Sequence, residues 1–187
     1  MTVDQVIAER LAALRQAQRL SLAQLGEKAG VSKAMISKIE RLESSPTAAV
    51  LGRLAAGLGV SLTDLLKEES SPPNSILRRQ ADQPTWQDSQ TGYIRRQVAE
   101  RRASGSSELI EITLPAATRV DYPQWHSNPY HQRVWVLQGR LEVRYGDDSY
   151  TMAAGDVLEF AVDLPVSYIA DPTQGCRYLL NILYERA

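Results

Sequence analysis

Several features that mark whole classes of proteins are scarce or missing in this chain. It has one cysteine, Cys176, and only two histidines among 187 residues. A single cysteine excludes an intrachain disulfide and gives no sign of an oxidising compartment. No apolar run is long enough to cross a bilayer, so no membrane partner is expected. The first fourteen residues are too charged for a signal peptide, which favours a cytoplasmic protein.

Net charge is also almost absent, at −1 for pH 7. Any contact with DNA must therefore come from a local basic patch. Lysine is confined to one end, because every cation after Lys67 is an arginine. Helical periodicity dominates the first 66 residues, and β-branched and aromatic stretches follow from residue 108. The sequence predicts domains at 1–67 and 76–187, joined by a linker at 68–75 that Pro72 and Pro73 stiffen.

Residues 1–67 predict five short helices around one shared core. An apolar stripe of Val6, Ile7 and Leu11 marks the first helix, which is expected to run to about Arg19. Capping signals mark the starts of the other four. They are Ser21, Ser32, Ser45 and Ser61. Because proline favours the first helical position, Pro46 supports a helix start at Ser45.

Residues 21–42 form the most informative stretch, which is predicted to be two helices joined by a tight turn. Ser21 and Gln24 fit a capping box, and Gly30 fits a left-handed position past a helix end. The second helix leaves a small, basic face outside, made of Lys33, Ala34, Ser37, Lys38 and Arg41. Such a helix suits the major groove of DNA. These residues alone leave an ordinary helical hairpin with a solvated charged face as an alternative.

Five separated motifs are in register with one known family. They are Leu22–Leu25, Ala29–Ser32, Ile36–Arg41, Ser45–Thr47 and Leu54–Val60. Together they resemble the helix-turn-helix of the phage-repressor and Cro-like (Xre) family over about residues 5–67. Leu42 departs from the pattern, because this family often has Gly or Asn there. The resemblance implies a five-helix lambda-repressor-like domain that binds a double-stranded DNA operator as a homodimer.

The resemblance also implies which residues contact DNA. Lys33, Ala34, Ser37 and Lys38 occupy positions that usually meet base edges, where lysine can donate to guanine and Ala34 can touch a thymine methyl. The N–H groups that follow Ser21 would meet a phosphate. The remaining DNA-binding candidates are Ser32 and the phosphate contacts Lys28, Arg41, Ser45 and Thr47. A solvated surface is the alternative for each of them, whereas Glu40 is expected to have a structural role.

From residue 92 onward the pattern predicts eight short strands. The predicted ranges are 92–98, 108–114, 118–122, 133–137, 140–145, 157–160, 166–170 and 177–184. Turn signals separate most of them, among them Gly139 and Gly155. Evenly spaced short strands in this number favour an antiparallel sandwich or barrel.

Two stretches of this half resemble the motifs of the cupin family. Residues 125–143 resemble the first motif, and residues 153–157 with 165–168 resemble the second. The resemblance covers roughly residues 110–184 and implies a cupin β-barrel of the double-stranded β-helix, or jelly-roll, type. A helix-turn-helix followed by a cupin is itself a known bacterial arrangement.

The metal ligands of many cupins are mostly missing here. Those cupins use two histidines and a glutamate from the first motif and a histidine from the second. In register this chain has His126, Asn128, Gln132 and Val166, so one good ligand remains. His131 should alternate to the opposite side from Gln132. We therefore expect no catalytic metal and no cofactor.

Without a metal, the barrel interior can still hold one small-molecule effector. The predicted contacts are mostly aromatic or hydrogen-bonding groups: Tyr122, Trp125, His126, Asn128, Tyr130, Gln132 and Tyr168. Arg95, or its neighbour Arg96, could supply a cation for an anionic effector or could lie on the outer surface. Trp135 should point outward, which suits packing or a subunit interface.

Together the two halves predict a sequence-specific transcriptional regulator that responds to a small molecule and is not an enzyme. Repression is the default of the family. An alternative is a metal-dependent oxygenase or epoxidase-like enzyme that carries a helix-turn-helix, which requires a triad of two histidines and a carboxylate. A third possibility is an architectural cupin that only pairs the DNA-binding domains.

Overall fold

The computed structural model describes residues 2–66, 76–101, 107–125 and 130–184. They fall into two compact units, one on each side of the predicted linker. The linker at 68–75 lies outside the described residues, as do His126 and Asn128 of the predicted effector site. None of the helices in the described ranges has the length and apolar character needed to span a membrane.

The described residues of the N-terminal unit form the five predicted helices. They are α1 (Val3–Ala17), α2 (Leu22–Ala29), α3 (Lys33–Glu40), α4 (Ala48–Leu58) and α5 (Leu62–Leu66). All five contribute fully buried side chains to one core, namely Ile7, Leu11, Leu25, Ile36, Ile39, Leu51, Leu54 and Leu65. A unit of about 65 residues has little apolar surface to spare, so each of these contacts counts for stability.

Local capping sets the boundaries of α2 and α3. The Ser21 hydroxyl accepts a hydrogen bond from the Gln24 N–H at 3.2 Å, and the Gln24 side chain accepts one from the Ser21 N–H at 2.8 Å. This confirms the predicted capping box. Gly30 ends α2 in the left-handed region with φ 62°, and Ser32 caps α3.

The start of α4 differs from the prediction. Thr47, not Ser45, is the residue whose hydroxyl caps this helix. The Ser45 hydroxyl instead donates a hydrogen bond to Asp4 on α1 at 2.7 Å. Pro46 therefore lies before the helix rather than in its first turn. The prediction of Ser45 as the cap is wrong because a carboxylate from another helix holds its hydroxyl.

The described residues of the C-terminal unit form ten strands. In chain order these are β1 (Thr85–Gln87), β2 (Ile94–Ala99), β3 (Ser107–Leu114), β4 (Arg119–Tyr122), β5 (Tyr130–Gln138), β6 (Arg140–Tyr145), β7 (Asp148–Ala153), β8 (Val157–Ala161), β9 (Val166–Ala170) and β10 (Cys176–Tyr184). Eight of them overlap the predicted strands. The other two, β1 and β7, are strands at sheet edges that the sequence analysis missed.

The strands form two antiparallel sheets that pack face to face. One sheet has the order β1-β2-β3-β10-β5-β8, and the other has the order β4-β9-β6-β7. Strands β3 to β10 therefore follow the jelly-roll order, the architecture that cupins share. In the ranges that the structure describes, no strand pair joins one sheet to the other. The described strands thus form the two facing sheets of the predicted jelly roll, and their pairing does not close them into a barrel.

Candidate functional sites

The first candidate site is the outer face of α3, the predicted recognition helix. Ile36 and Ile39 are fully buried and hold the inner side of α3 against the core. Lys33, Ala34 and Lys38 are exposed on the opposite side, and the predicted contact Ser37 beside them is half-buried. The helical spacing thus produces a small, basic surface directly after the α2–α3 turn.

The other predicted DNA contacts lie around this surface and differ in their exposure. Ser21, Lys28, Ser32 and Arg41 are exposed, whereas Ser45 and Thr47 are half-buried. Arg41 pairs with Glu43 at 3.0 Å on the surface. Lys28, Lys33 and Lys38 have no ion-pair partner among the residues that the structure describes. Their charges are therefore not neutralised within that part of the chain.

A buried ion pair fixes α3 to α1. Arg15 contacts Glu40 through two hydrogen bonds, from Nε at 2.7 Å and from the terminal guanidinium nitrogen at 2.9 Å. The two side chains are only 14% and 13% exposed. The hydrogen bond to Glu40 raises the pKa of Arg15 although burial opposes the shift. The structural role expected for Glu40 is confirmed, but its partner 25 residues away was not identified from the sequence.

Leu42 follows α3 in a left-handed conformation, with φ 61°. This is the position at which the sequence departs from the Gly or Asn of the family it resembles. A residue with a Cβ pays roughly 1–2 kcal/mol in this region. Leu42 therefore adopts a backbone conformation that Gly or Asn would adopt at lower cost.

The second candidate site is the interior of the jelly roll. Trp125, Tyr130, Gln132 and Tyr168 are buried there, and Tyr122 is half-buried. The ring centroids of Trp125 and Tyr130 are 6.1 Å apart, and those of Tyr122 and Tyr168 are 6.0 Å apart, both in edge-to-face geometry. The structure thus brings these five predicted effector contacts into the interior, whereas His126 and Asn128 lie outside its described residues.

The alternation of side chains along β2 shows which of Arg95 and Arg96 faces the interior and which faces the outer surface. Arg95 points into the sandwich and is 4% exposed. Arg96 points outward and pairs with Glu111 at 2.7 Å. The interpretation as a surface residue is therefore wrong for Arg95. An interior arginine is unusual and depends on polar partners around it.

Tyr93 is the first of these partners, and sequence reasoning missed it. It is 2% exposed, and its interactions with Arg95 and with Tyr122 raise the pKa of each of these two groups. Burial opposes the charged form of Arg95, but the neighbouring Tyr93 and Glu108 outweigh it, and the pKa of Arg95 is raised. The guanidinium therefore keeps its positive charge inside the sandwich.

Glu108 is the acidic member of the same interior. It is 2% exposed, and it accepts hydrogen bonds from the Gln97 amide at 3.3 Å and from the Tyr184 hydroxyl at 2.8 Å. Buried positions alternate along β2 and β3, and Gln97 and Glu108 occupy two of them. This alternation was the feature of the sequence that could have identified both residues as interior. In the described ranges the interior thus brings the Arg95 cation together with the Glu108 carboxylate and several phenols.

The buried tyrosines predict a defined response to alkaline pH. Burial raises the pKa of Tyr122, Tyr168 and Tyr178 well above the usual value near 10. Above about pH 10 the unfolded chain would therefore release protons that the folded chain retains, so stability falls as pH rises. We expect tyrosinate absorbance to appear together with loss of the β-sheet circular dichroism signal.

The control for this titration is the urea-unfolded chain, whose tyrosines should ionise gradually near pH 10. Gradual ionisation of every tyrosine in the native protein, with unchanged circular dichroism, would contradict the prediction.

The described ranges contain no group of three or more His, Cys, Asp or Glu side chains arranged to hold a metal ion. Gln132 and Val166 occupy positions aligned with cupin ligands and point inward, whereas His131 is exposed. The absence of a catalytic metal stays a prediction, because His126 lies outside the described residues.

Comparison with protein families addresses the N-terminal unit first. Residues 11–65 match the family model HTH_3, described as "Helix-turn-helix". This range covers α2, the turn and α3, where the structure places the capped helix pair and its basic face. The N-terminal unit is a helix-turn-helix domain. The predicted DNA-binding fold is thereby confirmed.

Two relatives extend the similarity across both units. The HTH-type transcriptional regulator SutR of Escherichia coli (strain K12) is 29% identical over 181 residues, which cover 97% of this chain and 96% of SutR. A solved HTH_3 family transcriptional regulator from Vibrio cholerae has 26% identity and a TM-score of 0.79, with 98% of this chain and 97% of that chain covered. The helix-turn-helix domain and the jelly roll thus occur together in transcriptional regulators.

A third solved structure shares the fold at a greater distance. The hydroxypropylphosphonic acid epoxidase from S. wedmorenis has 17% identity and a TM-score of 0.50, covering 97% of this chain and 98% of that chain. At this identity the likeness concerns the fold alone. A helix-turn-helix domain joined to a jelly roll therefore occurs in an enzyme as well as in regulators.

Proposed function

We propose that this protein is a sequence-specific transcriptional regulator, acting as a repressor, whose jelly roll binds a small-molecule effector without a catalytic metal. The observation that carries the proposal is the outer face of α3. It presents Lys33, Ala34 and Lys38 to solvent, and neither lysine has an ion-pair partner among the described residues. Lysine can donate to guanine O6 and N7, and the Ala34 methyl suits a thymine methyl.

The surrounding groups of the helix-turn-helix domain suit phosphate contacts. Ser21 caps α2, so the N–H groups of the first turn lie at a helix end that attracts anions. Lys28 lies in the last turn of α2, and Arg41 is the C-cap of α3. Phosphate contacts of this kind position the protein on the duplex, whereas the face of α3 would read the sequence.

Replacing Lys38 by alanine tests this proposal. If Lys38 reads a base, the variant should lose roughly 1–3 kcal/mol of specific binding and relax the preference at one operator position. The measurement is a titration of fluorescent DNA from the upstream region of the gene, at several salt concentrations. Lys28→Ala is the matched control, because loss of a phosphate contact should weaken specific and non-specific DNA about equally.

The proposal fails if the parent protein gives no salt-sensitive, sequence-selective binding on any candidate operator. The base-reading role of Lys38 fails if Lys38→Ala weakens all DNA sequences to the same extent as Lys28→Ala.

For the jelly roll we propose an effector that carries an anionic group. Support comes from Arg95, a cation buried among hydrogen-bonding side chains of the interior. Gln132 and Tyr168 are buried on facing sheets and would supply neutral hydrogen-bonding contacts. The effector must bind one functional state of the regulator more tightly than the other, since otherwise it cannot change operator binding.

A thermal-shift screen of small carboxylates, sulfonates and phosphate esters tests this second part. A ligand at 100 times its Kd should stabilise the jelly roll by about 2.7 kcal/mol. Tyr168→Phe should reduce that shift, whereas Tyr150→Phe, at the exposed edge strand β7, should leave it unchanged. If no class of metabolite raises the transition, the jelly roll has an architectural role only.

The enzyme alternative has the support of fold likeness only. It requires two histidines and a carboxylate around a metal, and Gln132 and Val166 stand at two of the aligned positions. Metal analysis of the purified protein discriminates between the two functions. Stoichiometric iron or manganese would favour the enzyme.

A further inference from the structure

The outward face of the six-stranded sheet carries an apolar row that the proposed function does not use. Trp135 on β5 lies opposite Leu179 on β10 and opposite Val157 on β8. Trp135 is 47% exposed and Val157 is 58% exposed. The outer face of an antiparallel sheet normally carries polar residues when it faces water. A tryptophan with half its surface exposed between two aliphatic neighbours is therefore a candidate contact surface.

The outward face of the four-stranded sheet is different. There Arg119 pairs with Asp121 at 2.7 Å, and Arg144 pairs with Glu142 at 2.6 Å. Ser167 on β9 donates a hydrogen bond to Asp121 on β4. This face is an ordinary solvated surface. The apolar row is thus a property of one sheet and not of the jelly roll in general.

Charged residues beside the row indicate what covers it. One step along the same strands, Arg133 pairs with Glu159 at 2.5 Å. At the other end of the row, Glu111 lies beside Leu179 and contacts Arg96 and Arg177. Both signs of charge therefore border the apolar residues. A patch with both signs is complementary to itself under a two-fold rotation, whereas DNA or an anionic membrane would favour cations only.

We propose that a second copy of this chain covers the Leu179–Trp135–Val157 row, so that the jelly rolls pair through their six-stranded sheets. In this isologous contact Trp135 packs against the partner's apolar row, and Arg133 faces Glu159 of the partner subunit. The inference rests on the proposed function to the extent that a two-fold protein is what a two-fold operator requires. The exposure of the apolar row and the charges beside it do not depend on that function.

Trp135→Ser tests the apolar part of this contact. Buried aromatic residues at interface centres are the usual hot spots, so the variant should raise the dimer dissociation constant about 100-fold. Sedimentation equilibrium of the full chain over a range of concentrations measures this change. Tyr150→Ser is the matched control, because Tyr150 is 39% exposed but belongs to the four-stranded sheet. Unchanged dimerisation of Trp135→Ser overturns the proposal, as does a parent protein that stays monomeric at every concentration.

Charge reversal tests the orientation of the two copies. Arg133→Glu and Glu159→Arg each break the pair within a chain and place like charges across the proposed interface. Each variant alone should be monomeric, and an equimolar mixture should form a mixed dimer, because the partners then carry opposite charges. Two variants that dimerise separately as well as the parent, or a mixture that remains monomeric, overturn the contact.

Binding to a single operator half-site separates this inference from the proposed function. If the inference is right, Trp135→Ser binds an isolated half-site with the affinity of the parent. It loses only the additional affinity that the parent dimer has for a two-fold operator. If the parent dimerises through this surface but binds no DNA, the proposed function fails and the interface stands.

Discussion

Glu40→Ala should remove about 3 kcal/mol from the unfolding free energy of the helix-turn-helix domain, within the range for breaking a buried ion pair. The substitution leaves the Arg15 guanidinium, at 14% exposure, with its hydrogen bond to the Leu20 carbonyl but without a carboxylate. A unit of about 65 residues has roughly 3–10 kcal/mol in all. The loss would therefore remove from about a third to all of that stability.

The effect should extend to DNA binding because of where Glu40 lies. It is the last residue of α3, and its two hydrogen bonds to Arg15 tie the end of that helix to α1. Operator affinity should fall with the folded fraction, although Glu40 itself is not expected to touch DNA. Far-UV circular dichroism at 222 nm reports the helices, whereas the three tryptophans all lie in the jelly roll. The variant should shift the first signal and leave tryptophan fluorescence unchanged.

Two further variants make this prediction sharp. Glu43→Ala breaks the Arg41–Glu43 pair, whose side chains are 61% and 50% exposed, and should cost no more than about 0.5 kcal/mol. Arg15→Met combined with Glu40→Leu removes both charges and should recover most of the loss, since the costly state is one buried charge left alone. If Glu40→Ala and Glu43→Ala reduce the unfolding free energy equally, burial of the Arg15–Glu40 pair does not determine its contribution to stability.

The sequence was sufficient where structure depends on neighbouring residues. The Ser21–Gln24 capping box and the left-handed Gly30 involve contacts within a few positions, and both are confirmed. The cap of α4 was assigned to Ser45 because the competing group, Asp4, lies 41 residues away. Local rules describe which residues are able to cap, but a distant carboxylate decided which one does.

In the jelly roll, too, local patterns were predicted correctly and features that depend on distant residues were not. The alternation of β5 correctly places Gln132 inside and Trp135 outside, because the side-chain period of a strand is two. Parity alone could not place Arg95, since a buried guanidinium is tolerated only where Tyr93 and Glu108 accompany it. Strand β7 was missed because an edge strand needs no apolar face, and five of its six residues are exposed.

Gly139→Ala should have the largest effect of any single substitution discussed for the jelly roll, at about 3 kcal/mol or more. Gly139 is the one residue between β5 and β6, where the chain passes from one sheet to the other. Its φ is 78°, and an added Cβ would lie 2.2 Å from the Gly175 carbonyl oxygen. The left-handed backbone costs about 1–2 kcal/mol for alanine, and crowding in a packed interior typically costs about 1–3 kcal/mol more.

Because the obstacle is backbone, no side-chain rotation can relieve it. Either the β5–β6 turn or the segment before β10 has to move, and both lie beside strands that line the interior. Gly155→Ala is the matched control, since Gly155 also has a positive φ, 98°, but an added Cβ would meet nothing within 4 Å. It should lose only the conformational part, about 1–2 kcal/mol.

Urea unfolding followed by tryptophan fluorescence measures both variants, with the 222 nm signal as an internal reference for the helices. A Gly139→Ala transition that coincides with that of Gly155→Ala would show that the close contact with Gly175 adds nothing. A larger loss for Gly139→Ala would locate the constraint at the crossing between the sheets. If the proposed effector binds the parent protein, its loss by folded Gly139→Ala would then tie the interior to the geometry of this crossing.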